Sequence, residues 1–499
     1  MIPTTLHLPG PRSSRRAFLR RGGLALSASG MLNALAQLEL VYAQAAQEHF
    51  DDYKALVCIY LDGGNDSNNL VIPMGNSSTN NYNRYNAARG AVAIQQADLT
   101  ATQFNDPAQG NYGLHPSMGK SPGSGASSLH SLAQAGKLAV VANVGTLVEP
   151  TPREVYLAGN ARTPSQLFSH NDQKSQWQSS VSDRSFQTGW GGRLADELAE
   201  LVLDGGNPQL SMSTSISGQC DFLVGLDEAH GQLHLTTSGA INLTNFYPST
   251  RNTGLRLSAL NNVLNAQAEN LLQNEYLTRV KRARENNERV REVLSGLVLP
   301  SGWPTFPDTV LGRQLRIVAQ MILASEKLEL KRQIFFTEFT GFDTHKGLLA
   351  PHEALLDEVN QALGVFQRAV ELIPGNLADK VTTFTASDFN RTFAPNRSDP
   401  KLAGTDHAWG GHALVMGGAV NTANRKIFGT MPDLVLGGQY DTEVTTGGKR
   451  SRGRWIPSIS VDQYGATLAK WFGVAESRMN RVFPNLGRFD SADLGFMKG

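Results

Sequence analysis

This sequence predicts an α/β protein with a mostly parallel sheet sandwiched by helices, on three observations. Short apolar runs rich in β-branched and aromatic residues recur at 55–61, 138–144, 334–339, 381–385 and 413–416. They lack the in–out alternation of a half-exposed strand, so they suit a sheet covered on both faces. Helix-periodic segments lie among them at 255–294, 311–330, 352–372 and 461–472, and strands alternating with helices build parallel connections. Thirdly, the chain shows no internal repeat and no long low-complexity tract across its 499 residues, which points away from solenoids and toward one large core.

The elements follow in chain order. Residues 1–45 read as a twin-arginine export signal. The arginine pair of Ser14-Arg15-Arg16-Ala17-Phe18-Leu19-Arg20 precedes an uncharged, mildly apolar stretch over 22–36, and Ala43-Gln44-Ala45 has the small-x-small pattern of a cleavage site. That stretch is too short and too rich in Gly and Ser to span a bilayer. Export makes the twin-arginine machinery a partner and the periplasm or the extracellular space the destination. Residues 46–499 then form a single domain, with the charged segment from Lys281 to Glu292 marking a helical excursion from the sheet near 255–295. Segments 73–109 and 399–408, rich in Asn, Ser, Gly and Asp, read as loops.

Composition excludes several classes. With 45 basic against 44 acidic residues, the chain carries no general field for nucleic acid or a membrane surface. No second apolar run is long enough to cross a membrane. Two cysteines cannot make a disulfide framework, and Cys58 lies in a strand pattern where a buried thiol belongs.

Chemistry concentrates where strands end. Leu61 runs into Asp62-Gly63-Gly64-Asn65-Asp66, Phe339 into Thr340-Gly341-Phe342-Asp343-Thr344-His345, and Thr385 into Ala386-Ser387-Asp388. Ligands of open α/β sheets bind beyond the carboxyl ends of the strands, so Asp62, Asp343 and Asp388 are expected to converge. Unpaired carboxylates repel, and a bound cation is the simplest way to hold them together. Each Asp alone reads equally as a turn former or helix cap. Imidazoles from His345, His407 and His412 make a mixed set suited to zinc or manganese more than to an all-oxygen calcium cage. His407 and His412 flank a glycine-rich loop and also read as members of a hydrogen-bond network. Ser169, ahead of the helical stretch through Trp177, reads either as a nucleophile at a helix N-terminus or as a plain N-cap.

In order and wording, Leu61-Asp62-Gly63-Gly64-Asn65-Asp66, Ser169-His170-Asn171-Asp172-Gln173, Thr188-Gly189-Trp190-Gly191-Gly192-Arg193, Gly341-Phe342-Asp343-Thr344-His345, Ser387-Asp388-Phe389-Asn390-Arg391-Thr392, Gly404-Thr405-Asp406-His407 and Asp462-Gln463-Tyr464-Gly465-Ala466-Thr467-Leu468 resemble the secreted bacterial proteins grouped as domain of unknown function 1501. That family is placed with alkaline phosphatases and sulfatases. The resemblance implies an alkaline phosphatase-like fold and a metal-dependent hydrolase of phosphate or sulfate esters, holding zinc, manganese, magnesium or calcium and acting on an anionic small molecule or glycan. It implies Asp62 and Asp388 at one metal position, Asp343, His345 and His412 at another, Ser169 near the nucleophile's place, and Arg391 on a nonbridging ester oxygen. Departures are visible too. Phe389 follows Asp388 where phosphatases carry a histidine ligand, Asp343 and His345 are closely spaced, and the sulfatase cysteine signature is missing. An alternative expectation is a noncatalytic exported protein that keeps the scaffold for binding or surface assembly.

Overall fold

The computed structural model describes residue 50 and residues 52–202, 210–226, 231–241, 243–266, 270–445 and 451–499. The export signal over 1–45 therefore lies outside the described residues. In chain order the strands are β1 (Lys54–Asp62), β2 (Val71–Pro73), β3 (Gln103–Asp106), β4 (Gly110–Leu114), β5 (Leu138–Gly145), β6 (Ser213–Ser215), β7 (Leu233–Thr236), β8 (Gly239–Ala240), β9 (Arg332–Thr340), β10 (Val381–Ser387), β11 (Gly411–Met416), β12 (Ile427–Phe428) and β13 (Ile459–Ser460). The five apolar runs all become strands of one sheet. β1 is buried at every position from Ala55 to Leu61 because it is interior, with β9 parallel on one side and β10 parallel on the other.

The sheet runs β12-β5-β11-β10-β1-β9-β6-β7-β8, with β13 also on β5. Most of its pairs are parallel, but β11 runs antiparallel to both β10 and β5, so the sheet is mixed. The two faces of β1 explain why its run shows no alternation. Ala55, Val57, Ile59 and Leu61 join a core with the helices Val310–Leu323 and Leu349–Leu372. Tyr60, on the other face, meets Phe336, which touches Phe222 in an aromatic layer shared with Trp190, Phe384 and Tyr464. Burying a large side chain contributes about 1.5–3 kcal/mol, and both faces of this strand collect it.

Two expectations need correcting. Residues 73–109 are not simply loop: they hold the helix Tyr82–Arg89 and β3, and β2, β3 and β4 form a small antiparallel sheet. The Asn and Ser residues that suggested a loop supply its caps and turns, with Asn81 accepting from the Arg84 amide at 3.0 Å. The segment 255–294 is two helices, Arg251–Leu264 and Leu271–Ser295. Asn265 closes the first and the Asn270 side chain caps the second, and polar caps of this kind end a periodic pattern that propensity alone would continue. Elsewhere the helix over 461–472 matches its expectation residue for residue, because Ser460 forms a capping box with Gln463 and Gly473 ends it. Both cysteines are free and buried. Among the described residues, no helix is long and apolar enough to cross a membrane.

A candidate metal centre

Because β10, β1 and β9 are adjacent and parallel, their carboxyl ends deliver Asp388, Asp62 and Asp343 to one edge of the sheet. The chain leaves β1 through Gly63 at φ +110°, where an added Cβ would fall 2.6 Å from the Asp343 amide nitrogen. Only glycine accepts that conformation and that approach. The Gly63 amide in turn donates to both oxygens of Asp388 at 3.3 Å.

Above this edge three imidazoles converge. His170 opens the helix His170–Ser179, His345 follows Asp343, and His407 comes from the loop that bridges to Arg391. His170 Nε2 lies 3.1 Å from His407 Nε2 and 3.4 Å from Asp343 Oδ1, and His407 Nε2 lies 3.5 Å from that same oxygen. Two ligands held 2.0–2.1 Å from a tetrahedral zinc are about 3.3 Å apart, so these three atoms have the spacing of three corners of such a site. They lie within 4.8 Å of one another as a group. His345 Nε2 flanks this group, 2.9 Å from both Asp343 Oδ1 and His407 Nε2.

Each ring is oriented from behind. His170 Nδ1 sits 2.6 Å from Asp388 Oδ2, His345 Nδ1 3.1 Å from Asp406 Oδ1, and His407 Nδ1 2.8 Å from the Phe168 carbonyl. Three acceptors at three Nδ1 atoms assign the proton there and turn the Nε2 lone pairs inward, the arrangement that metal-ligating histidines adopt. Phe168 reaches its position at φ +74°, a left-handed conformation that costs a bulky residue on the order of 1–3 kcal/mol. Phe389 walls the site, its ring 4.6 Å from His170 and 4.7 Å from His407 between centroids.

Protonation follows these contacts. The hydrogen bond to Asp388 raises the His170 pKa against the effect of burial. Burial lowers His345 and His407, and the charge of Arg391 adds to this. Burial pushes Asp343 up, but the hydrogen bond and charge of Arg391 outweigh it and hold the carboxyl below its ordinary value. A carboxylate with inward imidazole lone pairs is a donor set that fits a divalent cation of the zinc type.

The sequence-predicted residues divide accordingly. Asp343 is in the cluster, and His345 flanks it. Asp388 is buried and stands behind His170 rather than among the converging atoms. Asp62 is not in that group and binds the Lys174 ammonium, Oδ1 to Nζ 2.9 Å, which also bonds Glu338. Arg391 is fully buried, and its donors go to Asp343 at 2.7 Å, to the Gly63 carbonyl at 3.3 Å, and to the Thr405 carbonyl and hydroxyl. With those donors spent, it positions Asp343 and is not placed to hold an ester oxygen. Ser169 precedes the helix, but its hydroxyl donates to Asp172 at 2.6 Å.

His412 is elsewhere. β11 bulges between Gly411 and Ala413, and the ring accepts from the Asn143 amide at 3.1 Å beside a small cavity bordered by Ser67, Ser387 and Phe389. Burial pulls its pKa down to about 4, as befits a neutral core histidine.

In the sequence His170 stands out only as Ser169's neighbour, and His407 reads equally as a ligand or as a member of a hydrogen-bond network. The available signal was Asp388 itself: a strand-end carboxylate buried behind a helix start needs a partner, and His170 is the first residue of that helix.

A family model described as "Protein of unknown function (DUF1501)" matches residues 53–439, more than three quarters of the chain and all the residues of the centre. No curated protein matches the chain.

Proposed function

From a chain that belongs to the DUF1501 family, we propose an exported metal-dependent hydrolase of phosphate or sulfate esters on an alkaline phosphatase-like scaffold. One observation carries the reading: His170, His407 and Asp343 bring their ligand atoms within 3.1–3.5 Å of one another, and every Nδ1 of the imidazoles is held by an acceptor. His170, His407 and Asp343 would hold the ion, with zinc favoured by the imidazoles. A divalent ion supplies Lewis acidity toward an ester oxygen and activates water at neutral pH.

The chain's own residues do the rest. Asp388, Asp406 and the Phe168 carbonyl fix the imidazoles, and Arg391 fixes Asp343. Phe389 excludes water from one flank. Arg454, over the Phe168 ring at 4.7 Å and bonded to the His407 carbonyl, holds the backbone that carries His407. With the Ser169 hydroxyl engaged by Asp172, water is the better nucleophile. The arginine pair and apolar run near the N-terminus support export by the twin-arginine machinery, a route that admits a protein already folded around its metal.

The test is turnover of aryl phosphate and aryl sulfate esters by zinc- or manganese-loaded protein, before and after chelation and in His407→Ala. Turnover that chelation removes, readdition restores and the variant lacks supports the reading. A fully loaded protein inert toward both ester classes contradicts it and turns the account to a noncatalytic binding role.

A further inference from the structure

The resemblance implied two cation positions, one of them holding Asp62. At that place the structure has a side chain. Lys174 Nζ lies 2.9 Å from Asp62 Oδ1, bonds the Glu338 carboxylate, and stands over the face of Tyr60 at 5.4 Å from the ring centroid. These acids belong to adjacent strands, Asp62 closing β1 and Glu338 lying in β9 opposite Tyr60. Lys174 is four residues after His170 on the same helix, so the two share a face about 6 Å apart along the axis. The ammonium is thus fixed next to the imidazole that would bind the ion. Burial pulls its pKa down, but hydrogen bonds to Glu338 and Asp62 outweigh burial and raise it, so the charge persists at neutral pH.

Charge balance points the same way. The imidazoles of the cluster are neutral when they ligate. Of the four carboxylates there, Asp62 and Glu338 are then bonded to Lys174 and Asp343 to Arg391, while Asp388 bonds the neutral His170 ring. Two negative charges are left over, which one divalent ion balances and two would overshoot.

We propose that Lys174 is a built-in cation occupying the second cation position, so that the centre binds a single divalent ion and pairs it with a fixed ammonium. The inference rests on the metal-centre reading above. It also sharpens the substrate class: an ammonium has three donors, two are spent on Asp62 and Glu338, and the third would be left for an anionic group of the substrate. Lys174 is in this sense a positioning residue for an anionic group.

The test is a titration of the chelator-stripped chain with Zn²⁺, and with Mn²⁺ as a second probe, counting ions per chain by elemental analysis after gel filtration. The wild type is expected to bind one. Lys174→Ala, a helix-compatible change at a partly exposed position, is expected to bind two, because Asp62 and Glu338 are left facing each other without a cation. Lys174→Arg, which keeps the charge, and the double variant Lys174→Ala with Asp62→Asn are expected to bind one, and circular dichroism confirms that each variant retains its helices. Two ions in the wild type, or one in Lys174→Ala at unchanged affinity, overturns the proposal while leaving a metal centre standing. No ion in any of the proteins overturns the metal-centre reading itself.

Discussion

Asp388→Asn isolates the contribution of a residue that touches no ligand position directly. The carboxylate is buried, accepts from the Gly63 amide and holds His170 Nδ1 at 2.6 Å. Asparagine has nearly the same shape and keeps one acceptor oxygen, so the backbone contact with Gly63 survives. What disappears is a short hydrogen bond to a charged acceptor, about 1.5–3 kcal/mol, and with it the definition of the His170 tautomer. At 1.4 kcal/mol per decade, metal affinity should fall roughly 10- to 100-fold, the range typical of lost outer-shell partners. Competition with a chromophoric chelator measures this directly, and the melting temperature of the metal-free protein shows whether the fold itself has weakened. Unchanged affinity in a folded variant would refute the idea that Asp388 acts through His170.

Other consequences follow from buried charge. Arg391→Met leaves the buried Gly63 and Thr405 carbonyls without their donor and the half-exposed Asp343 without its cation, so a loss of roughly 1–3 kcal/mol is expected, read by urea denaturation. Arg391→Lys should recover only part of it, because a point charge cannot reproduce the guanidinium fork; full recovery would mean that charge alone matters. Asp462 is fully buried, with Ser180 donating to Oδ1 at 3.3 Å and Oδ2 unpartnered, and burial pushes its pKa up to about 7 despite Arg193 and Arg488 nearby. A folded pKa above the unfolded value of about 3.9 means its contribution is fully present below about pH 4 and is lost as pH rises through about 7. Asp462→Asn should therefore gain on the wild type by roughly 2–4 kcal/mol between pH 4 and pH 8; a stability difference independent of pH would contradict this.

What could be read from the sequence depended on how locally it was encoded. β1, β9 and β10 announce themselves through unbroken apolar runs, and their parallel pairing places Asp62, Asp343 and Asp388 at one edge whatever the loops do. The helix at 461–472 was legible to the residue because Ser460 and Gly473 carry its caps. The helix Tyr82–Arg89 was hidden, since its buried face is Tyr82, Tyr85 and Arg89 and Arg89 is apolar in no pattern; it is buried because Asp66 and Asn69, some twenty residues earlier, receive it. The site failed in the same way. His170 is a ligand candidate only through Asp388, 218 positions away, and Asp62 leaves the metal set only because Lys174 reaches it from another element. Arg391, which looks like a surface cation, is consumed by partners on three separate loops. His412 was misjudged because a bulge in an antiparallel strand turns it inward, and bulges leave no mark in a single sequence.

The most direct measurement is metal content of the protein purified without chelator, for the wild type beside His170→Ala and Asp343→Ala. Close to one divalent ion per wild-type chain is expected, lost from both variants while they stay folded; a folded wild type without metal, or variants that keep theirs, would contradict the metal centre.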